Sequence, residues 1–193
     1  MRIDWTIERT RAPTALPVSI DTVKQRLNLP LAYAHHDAKL IELVTAATEQ
    51  FESDTDRVCM EQTFALSFPG FTAFPIDLFK RPVFAVNQIT YIDDDGASQT
   101  LDPAEYKLST ARRQVRLLGG PPWPNVSRSV GDAVTIEFVA GVPEQSQVPR
   151  LYVQAITLLV GAWFLDPVDE KARDPWKTSY HRLLMKLQQE KQV

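Results

Sequence analysis

A short apolar stretch followed by an acidic turn lies between two helical blocks and restricts the folds open to this chain. Residues 86–92 are rich in β-branched and aromatic side chains, which favour a β-strand. The pair Asp95 and Gly96 supplies the positive φ of a hairpin turn, and Asp102 with Pro103 breaks the returning strand. This order predicts an α+β fold that is mostly α: a helical bundle with an inserted small antiparallel β-region, whose hairpin protrudes.

Periodicity and end signals predict four helices. Ser19 and Asp37 precede two of them as N-cap residues, and Asp174 with Pro175 opens the last. The predicted helices cover 20–27, 38–55, 149–165 and the segment from 175 onwards. The third is apolar nearly all round and must be covered on more than one side. We expect either the β-region together with the helix at 38–55, or another subunit, to pack against these sides of the helix.

The remaining strands are short and bounded by turns. They are predicted at 62–68, 76–78, 115–117 and 134–140, and the last is the strongest. Residues before Pro17 have mixed charge and little periodicity, as in an extended arm or a strand added late. We expect one domain in three parts: an N-terminal arm at 1–16, a helical bundle at 17–166 with a β insertion at about 62–140, and a C-terminal helix or tail at 167–193.

Composition excludes several classes of protein. A net charge of −3 over 193 residues argues against a general binder of nucleic acid or anionic membranes. The single cysteine, Cys59, cannot form an intrachain disulfide. The N-terminus lacks the apolar core of a signal peptide, and the longest apolar run, 155–165, is roughly half of the ~20 residues that cross a bilayer. We therefore expect a soluble protein made in the cytoplasm, without a membrane partner.

No residue cluster has the pattern of a reaction centre. His35, His36 and Asp37 are adjacent, so their side chains point apart and a metal would need ligands from elsewhere. The acidic run 93–95 lacks the spacing of a calcium loop, and Cys59 has no activating histidine close in sequence. We predict no catalytic, metal or cofactor site and a protein that is not an enzyme. A small hydrolase or transferase that uses scattered carboxylates is the open alternative.

A basic stretch lies on a predicted hairpin. It consists of Arg112, Arg113 and Arg116, together with Lys107. A solvated edge that guards against strand-on-strand aggregation is the simpler interpretation, and a surface facing DNA or an acidic partner is the other. A DNA-binding accessory protein for packaging would also need Arg128 on the same face.

The last predicted helix carries a stripe of large apolar residues. Trp176, Tyr180, Leu183 and Leu187 recur at steps of four, three and four residues. Core packing explains such a stripe, and so does an assembly contact, because Trp and Tyr are frequent interface hot spots. Trp163 and Tyr91 are further candidates for a protein interface.

The order of these segments resembles one family. The matching segments are 16–20, the helix at 37–55, Gln62 with Thr63, 81–83, 89–96, 101–106, Trp123 with Pro124, the strand at 134–141 and the apolar helix at 155–163. Together they resemble the head-tail connector (adaptor) proteins of tailed bacteriophages and prophages, over about residues 17 to 165.

The resemblance implies a structural role in a virion. Such adaptors assemble beneath the portal protein after DNA is packaged, as a homo-oligomeric ring of about a dozen copies. The ring extends the DNA channel, through which DNA passes without specific recognition, and it is a platform for the next connector, stopper or tail protein. In the family the C-terminal segment commonly docks on the portal, which here implies Asp174 onward. The protein would be made in the bacterial host cytoplasm and lie at the head-tail interface.

Overall fold

The chain divides into two compact units. A computed structural model describes residues 5–32, 34–71, 75–118, 123–165 and 175–189. The first unit, here called the β unit, combines Met1–Pro13 with Glu61–Val142. The second, the helical unit, combines Thr14–Met60 with Pro143–Val193. The β unit thus contains the start of the chain as well as its middle.

Two antiparallel sheets form the β unit. Within the described residues its strands are β1 (Thr6–Arg11), β2 (Gln62–Phe68), β3 (Ile76–Asp77), β4 (Val83–Ile92), β5 (Ser98–Thr100), β6 (Tyr106–Ser109), β7 (Gln114–Leu117) and β8 (Val134–Ala140). Five strands pair in the order β1-β2-β8-β4-β5, and the other three in the order β3-β7-β6. The N-terminal segment is therefore the edge strand of the larger sheet.

Strand β8 is the centre of the larger sheet. Its residues alternate between buried and half-buried positions along its whole length, as the period of two in its sequence predicts. Phe138 lies directly opposite Phe64 of β2, and the two rings stack with centroids 5.7 Å apart. Ile136 has Leu66 on one side and Ile89 on the other. These cross-strand pairs, all buried, form the inner face of the sheet.

Four α-helices lie within the described part of the helical unit. They are α1 (Ile20–Arg26), α2 (Asp37–Thr55), α3 (Arg150–Leu165) and α4 (Pro175–Gln189), and short 3₁₀ turns at Ala34–His36 and Gln145–Gln147 precede α2 and α3. Ser19 caps α1 as predicted, since its Oγ accepts the Thr22 N–H at 3.2 Å. The apolar helix α3 packs against both α2 and α4. Two helices of the same unit therefore cover it.

Asp37 does not cap α2. It is the first helical residue, and the preceding N-cap position, His36, makes no side-chain capping bond. The Asp37 carboxylate instead pairs with the buried Lys24 ammonium at 2.6 Å, and that ammonium also donates to the Leu31 carbonyl at 3.1 Å. A charged group this deep in a protein requires such partners. The pair therefore links the end of α1 to the start of α2.

The predicted fold class is wrong. The chain is 37% helical and 29% strand, so it is a sheet-rich α+β fold and not a mostly α bundle with a small β insertion. The sequence predicts the strands at 62–68 and 134–140 with their observed bounds, but it does not predict how they pair. In the structure β8 pairs with neighbours on both edges, and the N-terminal segment adds a further strand. Pairing between distant segments thus made the β-region larger than the local patterns suggested.

The first prediction concerns the buried ion pair. We expect Lys24→Met to lower the free energy of unfolding by about 1–3 kcal/mol, because it leaves Asp37 and the Leu31 carbonyl without their buried cation. Urea unfolding followed by circular dichroism measures this. Arg26→Ala on the same helix is the control and should change stability by at most about 0.5 kcal/mol, since Arg26 is exposed. Equal stability of the Lys24→Met protein and the wild type would show that the pair contributes nothing.

Candidate functional site

The candidate interface residues of the last helix face the core of their own unit. Tyr180, Leu183 and Leu187 are all buried. The Tyr180 hydroxyl donates to Asp54 Oδ2 of α2 at 2.7 Å, and Arg57 Nη2 donates to the Leu187 carbonyl at 3.1 Å. A partner that bound these three side chains would have to displace these contacts. Their role in binding a partner stays a prediction.

The outward side of the helix carries an exposed apolar residue. Trp176 falls within α4, but its side chain lies outside the described residues. Met185, on the outward side, is 67% exposed. A partner that contacts an intact α4 therefore meets Met185 and the polar residues beside it before it meets Tyr180, Leu183 and Leu187.

Trp163 lies near the end of α3 and is half-buried. The adjacent Phe164 ring meets the His36 ring edge-on at 5.5 Å, and the Lys39 ammonium lies 5.1 Å from its centroid. A cation at that distance from an aromatic face is attracted to it. Trp163 thus lies beside a local aromatic contact, and its interface role stays a prediction.

Tyr91 belongs to an aromatic cluster of the β unit. Its ring and that of Phe68 both contact Phe71 edge-on, with centroids 5.9 Å and 6.3 Å away. The Phe71 ring stacks on Trp123 at 4.6 Å and only 4° from parallel. Phe68 is buried, whereas Phe71, Tyr91 and Trp123 are half-buried. The cluster therefore presents part of its aromatic surface to the outside, which is compatible with the predicted interface role of Tyr91.

A second aromatic contact was not found from the sequence. Trp5 and Phe79 stack with centroids 4.3 Å apart, and both remain substantially exposed. Phe79 has a φ of 59°, and the Lys80 N–H donates to the Leu78 carbonyl across it at 2.6 Å. This is a γ-turn in the strained conformation that bulky residues rarely adopt. No local pattern signals such a contact, because the two residues are far apart in sequence.

The basic residues of the predicted hairpin lie on the β6–β7 hairpin. Lys107 is directly opposite Arg116 in the strand register, so the two side chains are on the same face. Arg112 and Arg113 lie in the connecting turn, where Arg113 has a φ of 57°. Lys107, Arg112 and Arg116 are exposed, and Arg113 is half-buried. The structure therefore places these four cations on one hairpin.

The acidic turn after β4 is held by its own hydrogen bonds. Asp93 Oδ1 accepts the N–H groups of Asp95 at 3.1 Å and Ala97 at 2.8 Å, and Oδ2 accepts Gln99 Nε2 at 2.8 Å. The Gln99 bond, followed by that from Ala97, lowers the pKa of Asp93. Gly96 supplies the positive φ, 83°, that the sequence predicts. This carboxylate stabilises a hairpin turn.

Cys59 is buried, and burial followed by the nearby Glu52 carboxylate raises the pKa of its thiol. Glu52 Oε1 itself accepts the Cys59 N–H at 2.7 Å.

Among the residues the structure describes, His, Cys, Asp and Glu form no group of three or more that is able to hold a metal ion. No helix in the same described ranges has the length and apolarity needed to span a membrane.

Solved structures of particle necks share this fold. No family model and no curated protein matches the sequence. A chain in the virion of a native gene transfer agent (GTA) particle superposes with a TM-score of 0.77 and is 22% identical. Chains in the neck of an empty GTA particle computed with C6 symmetry (0.76, 21%) and of a native GTA particle computed with C12 symmetry (0.72, 22%) are similar. In each case 94% of both chains is covered, so the likeness includes the β unit and the helical unit.

Burial of Cys59 leads to a prediction about its reactivity. Because the thiolate is the reactive form and burial raises the pKa, we expect the native thiol to react with an aromatic disulfide reagent at pH 8 at least about a hundredfold more slowly than in urea. The release of the coloured thiol measures both rates, and the unfolded chain is the control. Similar rates in the two states would show that this region opens readily.

The Tyr180–Asp54 hydrogen bond predicts a dependence of stability on pH. Burial, followed by the bond to Asp54, raises the pKa of Tyr180 above its ordinary value of 10.0. A raised folded-state pKa means that the stabilisation is complete below pH 10 and is lost as pH rises above it. Tyr180→Phe should cost about 1 kcal/mol at pH 7, and it should remove this part of the alkaline loss.

Urea unfolding of both proteins between pH 7 and pH 11 measures the effect. The pKa of Tyr106 is also raised, mainly by burial, but this contribution is common to the wild type and the variant and cancels in the difference. An equally steep alkaline loss in the variant would show that Tyr180 is not the group responsible.

Proposed function

We propose that this protein is a structural subunit in the neck of a phage-like particle, a head-tail connector. The observation that carries the proposal is the shared fold over 94% of both chains with neck and virion chains of GTA particles. Because the sequence identity is only 21–22%, the proposal depends on the extent of the structural match and not on the sequence. The role proposed is non-enzymatic and is located at the head-tail interface of the particle.

We further propose that the subunits form a ring of about a dozen copies around the DNA channel. Support comes from the neck reconstructions with C6 and C12 symmetry that contain chains of this fold. A ring requires two different patches on each subunit, each meeting the other patch on a neighbour. The β unit offers the exposed Trp5–Phe79 pair, and the helical unit offers exposed apolar side chains such as that of Leu151.

The portal and the next connector, stopper or tail protein are the proposed partners on the two sides of the ring. For the portal side we propose the C-terminal helix, as the family resemblance implies. Since Tyr180, Leu183 and Leu187 pack inside their own unit, the part of α4 available for contact is its outward side with Met185. An interface hot spot needs an apolar side chain that a partner can bury, and Met185 meets that requirement.

Mass in solution tests this proposal. We expect light scattering across a range of protein concentrations to show a ring-sized species, or a stoichiometric complex when a portal ring from the same particle is added. Deletion of α4 is a poor variant for this purpose, because the Tyr180–Asp54 and Arg57–Leu187 bonds link the helix to its unit. Met185→Glu is better, since the side chain is exposed and the fold should persist.

The expected result is that Met185→Glu reduces portal binding at least about tenfold with unchanged thermal unfolding. Ile41→Glu, which places the same charge at another exposed apolar position of the helical unit, is the matched control and should retain portal binding. A wild-type protein that stays monomeric and ignores the portal at every concentration would overturn the connector assignment. Portal binding that survives Met185→Glu would exclude only the C-terminal helix.

A further inference from the structure

We propose that the β6–β7 hairpin binds the phosphate backbone of duplex DNA without reading its sequence. The choice of DNA as the polyanion rests on the proposed function, since DNA is the anionic polymer that a neck ring surrounds. The existence of a polyanion site rests on the hairpin itself. That site is inferred from the strand register, exposure and charge of the hairpin, and it does not depend on ring formation.

The register of the hairpin places two cations side by side. Lys107 of β6 is the direct cross-strand partner of Arg116 of β7, and both are exposed. Like charges directly opposite on a sheet face destabilise the pair. The hairpin keeps this arrangement and adds Arg112 and Arg113 in its turn. An external anion that meets both strands would relieve the repulsion.

Nothing within the hairpin neutralises these charges. The segment 106–118 contains four Lys and Arg residues and no Asp or Glu, in a chain whose net charge is −3. The neighbouring strand β3 brings Asp77 next to Gln114, and the Asp77 carboxylate accepts Gln114 Nε2 at 2.9 Å. Asp77 is therefore exposed on the same outward face, directly opposite Gln114 and diagonal to Arg116. With one carboxylate beside Lys107 and Arg116, the outward face of this small sheet is net positive.

The residues between the cations favour phosphate over a protein surface. Ser109 and Gln114 share the outward face with Lys107 and Arg116, and the large apolar residues Val115 and Tyr106 are buried on the other face. The centre of a protein interface is apolar and depleted in Lys, whereas phosphate contacts use Arg, Lys and small polar side chains. A sequence-independent phosphate contact fits this composition best.

The test is the binding of a short fluorescent DNA duplex at several salt concentrations, measured by anisotropy with the full chain. With three or four phosphates contacted, the logarithm of the binding constant should fall against the logarithm of salt with a slope of about −3. Lys107→Glu replaces a repulsive cross-strand pair by an attractive one. It should weaken binding at least about tenfold and flatten the slope by about 1, with unchanged or increased thermal stability.

Lys177→Glu is the matched control, because Lys177 is exposed on the helical unit and the substitution changes the net charge by the same amount. It should retain binding within about twofold. Failure of the wild-type chain to bind duplex, or equal binding by the Lys107→Glu and Lys177→Glu proteins, would overturn the inference. So would a Lys107→Glu protein that binds DNA normally but loses its assembly, since the hairpin would then face an acidic protein surface.

The two proposals fail separately. Light scattering decides the connector assignment without DNA, and anisotropy decides the hairpin assignment with the unassembled chain. A chain that forms rings but does not bind duplex would refute only the hairpin site. A chain that binds duplex with the expected salt slope but forms neither a ring nor a portal complex would support the site and refute the connector role.

Discussion

The two-sided pairing of β8 is the constraint on which the β unit depends. Its register fixes β2 on one edge and β4 on the other, so that Ile136 has Leu66 and Ile89 as direct neighbours. Because side chains alternate with a period of two, a slip of one residue in either pairing would turn a whole row of buried residues to the outside. The edge strands β1 and β5 can then be short or polar, since the sheet is already specified at its centre.

The local sequence patterns predicted the individual strands and helices well, but they did not predict how the strands pair into a sheet. The strands at 62–68 and 134–140 have the bounds that alternation predicts, and the end signals of α1 and α3 are correct to within one residue. For the segment that forms the edge strand β1, the sequence allowed either an extended arm or a strand. Five of its six residues are exposed, and no alternation of apolar and polar residues marks it as a strand. The place of β1 in the sheet depends on pairing with a segment more than 50 residues away, such as Arg9 with Phe64, and local periodicity contains no such information.

The same limit applies to the candidate surfaces. The spacing of Tyr180, Leu183 and Leu187 identifies the side of α4 that is buried, but not the group that buries it. That group proves to include Asp54, which is 126 residues away in sequence. The cations of the β6–β7 hairpin were predictable because they are close in sequence and the hairpin is local. The direct opposition of Lys107 and Arg116 followed only from the register.

Several polar side chains of the larger sheet pair with each other across the strands. On the larger sheet Glu137 accepts Asn87 Nδ2 at 2.8 Å and Gln88 Nε2 at 3.2 Å, and Ser67 bonds Thr135 across the strands at 3.1 Å.

In the small sheet, Lys107 and Arg116 lie directly opposite each other. A solvated edge needs charge to discourage strand pairing, but interspersed signs would serve that purpose without repulsion. Cations aligned across two strands offer a polyanion a site that touches both strands, and this arrangement supports the proposed phosphate contact.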